Sequence, residues 1–248
     1  MRSWIDSISY ACIKQSIAFC NHLEENPMAT FVIVHGAWTG AWGWDRVAEQ
    51  LRASGHVVHV PTLSGLGERS HLALLPITLS THIEDIVNEM VWHDLNDVVL
   101  VAHSYGGFVA TGVVERAAER IASIVYLDAF IPSNGQSFED IMGNKLTGPV
   151  VPVPEIGDNE YATGAERDRV AALATPQPTG TFTERLKVTG AYLKIARKAY
   201  ILATGWDGFG SIAAPLRKDP AWKVYELPCG HDVPLLMPKE LAELLEKV

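Results

Sequence analysis

The sequence predicts an α/β fold: a mostly parallel sheet of about six strands, helices on both of its faces and a small helical cap. Three observations carry this. Short continuous apolar runs such as Phe31-Val32-Ile33-Val34 and Val98-Val99-Leu100-Val101 recur along the chain, as strands buried on both faces require. Stretches of helical period alternate with them. The 248 residues, 48% hydrophobic and 20% charged, match a soluble globular chain with enough apolar side chains to build a core.

The elements follow in order. Phe31 to Val34 is the first strand, and His35-Gly36-Ala37-Trp38 turns out of it toward a helix from about Trp44 to Ala53, closed by Gly55. Val57 to Val60 is the second strand, ended by Pro61. Ile83, Ile86, Val87, Met90 and Val91 mark a helix over residues 82–93. Val98 to Val101 is the third strand, with a helix from Tyr105 to Arg120 behind it. Ser123 to Leu127, Ala199 to Ala203 and Trp222 to Leu227 supply the remaining strands, and Pro238 to Val248 a closing helix.

Two segments stand apart. Residues 132–197 break the alternation and carry Pro132, Pro149, Pro152, Pro154, Pro176 and Pro178. That is too long for a bare loop, so a cap inserted between two halves of a core (28–131 and 198–248) is expected. In residues 1–27, Trp4, Ile5, Ile8, Cys12 and Phe19 recur at roughly helical spacing before Asn26-Pro27 breaks the run. Met28-Ala29-Thr30 then precedes the first strand, which marks residues 1–27 as an N-terminal extension outside the core.

Composition excludes several classes of function. The net charge is 20 − 29 = −9 with no basic stripe, unlike a nucleic-acid binder. An acidic surface disfavours anionic substrates and points to a neutral or apolar ligand. No apolar run approaches the roughly 18 residues of a membrane span. Cys12, Cys20 and Cys229 form neither a CxxC pair nor a disulfide framework, which argues against structural zinc and for a reducing compartment. Asp6 and Lys14 interrupt any secretory apolar region, so a cytoplasmic location is expected.

The chemistry centres on Ala102-His103-Ser104-Tyr105-Gly106-Gly107, between a buried strand and a helix. This is the context of the G-x-S-x-G nucleophile elbow, with Ala102 in place of the first glycine, and it marks Ser104 as a nucleophile. A serine hydroxyl needs a base. In the chain order serine, acid, histidine, His231 is the histidine that follows the last strand. His22, His56, His59, His71, His82 and His93 are read as ordinary core or surface residues. The acid is Asp128, at the end of the fourth strand, or Asp207, after the fifth; spacing leaves both open. An oxyanion hole would use the amides of Tyr105 and Ala37. Gly36 and Trp38 would line the substrate pocket, while at least two of Trp38, Trp42 and Trp44 are expected in the core. Ser64-Gly65-Leu66-Gly67 lacks the spacing of a dinucleotide site, and Gly36 to Gly40 lacks the Lys-Ser/Thr of a P-loop. No metal and no organic cofactor is expected.

These motifs resemble the α/β-hydrolase superfamily, and more narrowly a bacterial esterase group similar to plant methylesterases and hydroxynitrile lyases. The resemblance lies in VHGAW at 34–38, PTLSGLGERSHL at 61–72, THIEDIV at 81–87, DVVLVAHSYGG at 97–107, IVYLDAFIPSNGQS at 124–137 and LPCGHDV at 227–233. It implies a serine hydrolase with Ser104 and His231 in the roles above, and it favours Asp128 over Asp207 as the acid. It also implies a small to medium hydrophobic or aromatic ester, of pyrethroid or carbamate type, as substrate, with the protein acting alone or as a homodimer. Hydroxynitrile lyases of this type carry Thr at the position of Gly36 and Lys after the catalytic histidine; Asp232 stands there instead, against cyanohydrin cleavage. Two other activities of the fold, cofactor-free dioxygenation and small-molecule reception with little turnover, are the alternatives. Deleting residues 1–27 is expected to leave a soluble, active protein; loss of soluble protein would contradict their separation from the core.

Overall fold

The computed structural model describes residues 28–155 and 164–248; the helix expected in residues 1–27 lies outside them. The strands are β1 (Thr30–Val34), β2 (Val57–His59), β3 (Val98–His103), β4 (Ile121–Leu127), β5 (Val150–Val151), β6 (Gln177–Pro178), β7 (Arg197–Ala203) and β8 (Trp222–Leu227). The helices are α1 (Asp45–Ala53), α2 (Leu79–Trp92), α3 (Gly106–Ala117), α4 (Phe138–Met142), α5 (Gly164–Leu173), α6 (Thr179–Thr183), α7 (Gly210–Leu216), α8 (Val233–Leu236) and α9 (Pro238–Leu245).

Six strands form one parallel sheet in the order β2-β1-β3-β4-β7-β8. Alternate residues of each strand feed opposite faces. On β3, Val98, Leu100 and Ala102 join a core layer with Ile83, Ile86 and Met90 of α2 and Phe108 and Val113 of α3. Val99 and Val101 join the other layer, with Val47 and Leu51 of α1 and Leu241 and Leu245 of α9. Both faces are therefore covered, which is why these strands read as unbroken apolar runs. The chain leaves β1 for β2 on one side and returns to β3 on the other, so a switch point lies between β1 and β3.

Element ends shift where local hydrogen bonds overrule periodicity. Helix α2 starts at Leu79, ahead of its apolar stripe, because Thr78 and Thr81 form a capping box. Segment 132–197 holds short helices, as a small helical cap implies, together with the two-residue antiparallel pair β5–β6. The prolines keep these pieces short, since Pro178 lies in β6 itself and a proline ends rather than extends a helix. Among the described residues, no helix is long and apolar enough to cross a membrane.

Helix α3 is buried along nearly its whole length and starts against the ends of β1 and β4. A Cβ at Gly107 would stand 1.9 Å from the Phe130 carbonyl oxygen, and one at Gly106 2.7 Å from that of Val34. Gly107→Ala can fit only if backbone moves, and is expected to cost about 3 kcal/mol. An unchanged urea midpoint would contradict this packing.

Candidate active site

The strand-to-helix turn after β3 puts Ser104 at φ +54°, in the left-handed region that a side chain rarely occupies. Such a conformation costs on the order of 1–3 kcal/mol and persists only where the surroundings fix it. Here the Ser104 carbonyl accepts from the amides of Gly107 at 3.0 Å and Phe130 at 3.3 Å, while its own amide donates to Leu127 O at 3.3 Å.

Asp128 follows β4, also at positive φ (+40°), and has no solvent exposure. Its amide donates to Ile201 O of β7 at 2.7 Å. Its carboxylate accepts three hydrogen bonds: Oδ1 from the Ala203 amide at 3.1 Å, and Oδ2 from Trp206 Nε1–H and from His231 Nδ1–H, both at 2.7 Å. A buried carboxylate needs such donors to replace water. Asp207, the other candidate acid, is exposed, and among the described residues no bond joins it to His231.

His231, in the loop after β8, is wedged among rings. Phe209 stacks on it at 5.4 Å and 10°, and the centroids of Trp206 and His103 lie 4.7 and 4.6 Å away. His103 Nε2–H donates to the His231 carbonyl at 3.0 Å. Sequence reasoning missed His103 and Trp206. Adjacency was the available signal, since one precedes Ser104 and the other precedes Asp207.

Ser104 and His231 both line a cavity of about 440 Å³, together with Gly36, Ala37, Trp38 and Trp206. Val153, Pro154, Val170 and Ala174 close it from segment 132–197, and Glu155 and Asp232 add carboxylates to the wall. Neither the Ala37 nor the Tyr105 amide donates to a loop or turn carbonyl among the described residues. The loop after β1 is held from two sides. His35 Nδ1–H donates to Gly36 O at 2.8 Å, and His35 Nε2 accepts from the Leu63 amide at 3.0 Å. Trp38, at φ +59°, donates its amide to the buried Gln177 Oε1 at 3.0 Å and accepts from the Thr175 amide at 2.9 Å. Of the three tryptophans expected mainly in the core, only Trp44 is fully buried; Trp42 lies under the Arg169 guanidinium at 5.9 Å and Trp38 faces the cavity. The difference arises because Trp38 and Trp42 meet the inserted segment, not the sheet.

Metal-type donors gather elsewhere. His59, Glu89 and His93 bring ligand atoms within 4.8 Å of one another, and His59 and Glu89 are hydrogen-bonded at 2.6 Å. None of the three lines the cavity.

The model of the alpha/beta hydrolase family matches residues 31–244. The chain is 40% identical over 240 residues to a carbendazim hydrolyzing esterase of Nocardioides sp. (strain SG-4G), covering 88% of this chain and 98% of that protein. A solved structure described as an extracellular alpha/beta-hydrolase from a Paenibacillus species, with structural and functional homology to tobacco salicylic acid binding protein 2, superposes with a TM-score of 0.74 at 27% identity, covering 88% of this chain and 98% of that one. A pyrethroid hydrolase from Sphingobium faniae shares the fold, with a TM-score of 0.67 at 21% identity over 89% of this chain and 96% of that one.

Burial holds three histidines neutral. Desolvation lowers His35 and His103 from 6.5 to about 4 and His82 to about 3. The unfolded chain protonates these groups near 6.5 and the folded chain does not, so stability is full above that pH and falls as pH drops through the window down to about 4. The unfolding free energy in urea is expected to be lower at pH 5 than at pH 7 by on the order of 1–2 kcal/mol per histidine. Equal values would contradict neutral burial.

Proposed function

The chain belongs to the alpha/beta hydrolase family, and we propose that within it the protein is a serine carboxylic-ester hydrolase for a small to medium hydrophobic or aromatic ester. The observation that carries this is the 2.7 Å hydrogen bond from His231 to buried Asp128, with His231 and a strained Ser104 on the wall of the same cavity. The esterase identity of the 40% identical relative supports it.

In this mechanism His231 Nε2 takes the Ser104 proton as Oγ attacks the ester carbonyl. Asp128 holds the Nδ1–H tautomer and stabilises the imidazolium that forms. The Tyr105 and Ala37 amides donate to the tetrahedral oxyanion, where fixed donors are worth most because water is excluded. Collapse breaks the bond to the alcohol, which leaves with the proton from His231. Water, deprotonated in turn by His231, then attacks the acyl-enzyme and releases the acid and Ser104. All the proton traffic runs between Ser104, His231, substrate and water, so the mechanism requires neither metal nor organic cofactor.

The cavity wall supports the substrate class. Trp38, Trp206, Val153, Pro154 and Val170 offer apolar and aromatic surface, suited to a ring on either side of the ester. A pyrethroid- or carbamate-type ester fits this chemistry, and the relative named for carbendazim hydrolysis supports it.

Wild type is expected to hydrolyse a short-chain p-nitrophenyl ester, and Ser104→Ala to abolish this. Asp128→Asn should lower kcat by roughly 10⁴-fold, through loss of the productive tautomer, and Asp207→Asn by less than about threefold, since it touches no reacting group. Activity surviving in Ser104→Ala, or a larger loss at Asp207 than at Asp128, would overturn the assignment.

A further inference from the structure

Trp206 has no step in the mechanism above, yet it touches two groups that do. Its indole N–H donates to the Asp128 oxygen that also accepts from His231. Its ring lies against the His231 ring at 4.7 Å and against Phe209 at 5.6 Å; Trp206 is 42% exposed and lines the cavity. The loop is shaped around this ring. A Cβ at Gly208 would stand 2.2 Å from Trp206 Cη2, and one at Gly205 2.5 Å from the Cys229 carbonyl carbon. Glycine at 208 leaves room for the indole beside the acid–histidine pair, and glycine at 205 lets the loop run close to the Cys229 backbone.

We propose that Trp206 is a positioning residue for Asp128 and, with the same ring, a specificity-determining wall for aromatic esters; the proposal rests on the hydrolase reading. A carboxylate turns about its χ2 bond. At Asp128 one oxygen is fixed by the Ala203 amide and the other by the indole N–H, so Oδ2 stays aimed at His231 Nδ1 through the change from imidazole to imidazolium. The indole face beside that hydrogen bond is the aromatic surface a substrate ring would meet next to the reacting serine.

The test separates the two roles. Trp206→Phe keeps a ring and loses the N–H: kcat is expected to fall about tenfold, as for a lost hydrogen bond to a charged group, with KM for an aromatic ester changed by less than about twofold. Trp206→Ala should show the same fall in kcat and also raise KM for the aromatic ester, but not for a short aliphatic one. In an Asp128→Asn background, Trp206→Phe should cost nothing further, because the carboxylate it orients is gone. The indole ¹⁵N–H resonance, identified by its absence in Trp206→Phe, should move in Asp128→Asn. An unchanged kcat in Trp206→Phe, an equal loss in both backgrounds, or an indole resonance indifferent to Asp128→Asn would overturn the positioning role. A KM in Trp206→Ala that does not distinguish aromatic from aliphatic esters would overturn the specificity role. If wild type hydrolyses no ester while the indole resonance responds to Asp128→Asn, the hydrolase reading fails and the hold on Asp128 stands.

Discussion

A carboxylate with no solvent exposure must be surrounded by donors, and at Asp128 the three donors come from two distant stretches of chain. Ala203 closes β7, Trp206 follows it in a glycine-framed loop, and His231 lies beyond β8. The backbone contributes as well, because the Asp128 amide is tied to Ile201 in the neighbouring strand. Satisfying this one side chain therefore fixes the relative heights of β4, β7 and β8 at their C-terminal ends. It also sets where His231 sits above the sheet. Replacing water around a buried charge is costly enough that the surrounding loops have little freedom to settle elsewhere.

The second fixed point is the turn at Ser104, held by packing instead of charge. Helix α3 begins so close to β1 and to the Phe130 carbonyl that two successive glycines are needed. This closeness aims the first turn of α3 at the switch point between β1 and β3. Across from it, the loop of Gly36 to Trp38 is pinned by Gln177 and Thr175. Segment 132–197 thus does more than cover the cavity: it buttresses the loop of Gly36 to Trp38.

Much of this was legible in the sequence, for physical reasons. Strands buried on two faces must be apolar throughout, so β1, β3, β4 and β7 announce themselves. The turn at Ser104 needs small residues, so its glycines do too. The choice of acid was not legible from spacing, because Asp128 and Asp207 both follow strand ends; only the lateral order of β4, β7 and β8 brings one of them to His231 and leaves the other in solvent. His103 and Trp206 escaped for a related reason. Their importance lies in contacts made 128 and 78 residues away along the chain, which local pattern does not encode. The inserted segment was the least legible, since its prolines announce interruption without saying what the interrupted pieces pack against.

The proposed nucleophile is Ser104, activated by the His231–Asp128 pair. Labelling with a fluorophosphonate, followed by peptide mass mapping, tests it without knowledge of the substrate. One covalent adduct is expected, on the peptide carrying Ser104, and it is lost in His231→Ala while the variant stays folded. An adduct on another residue, none on folded wild type, or undiminished labelling without His231 would contradict it.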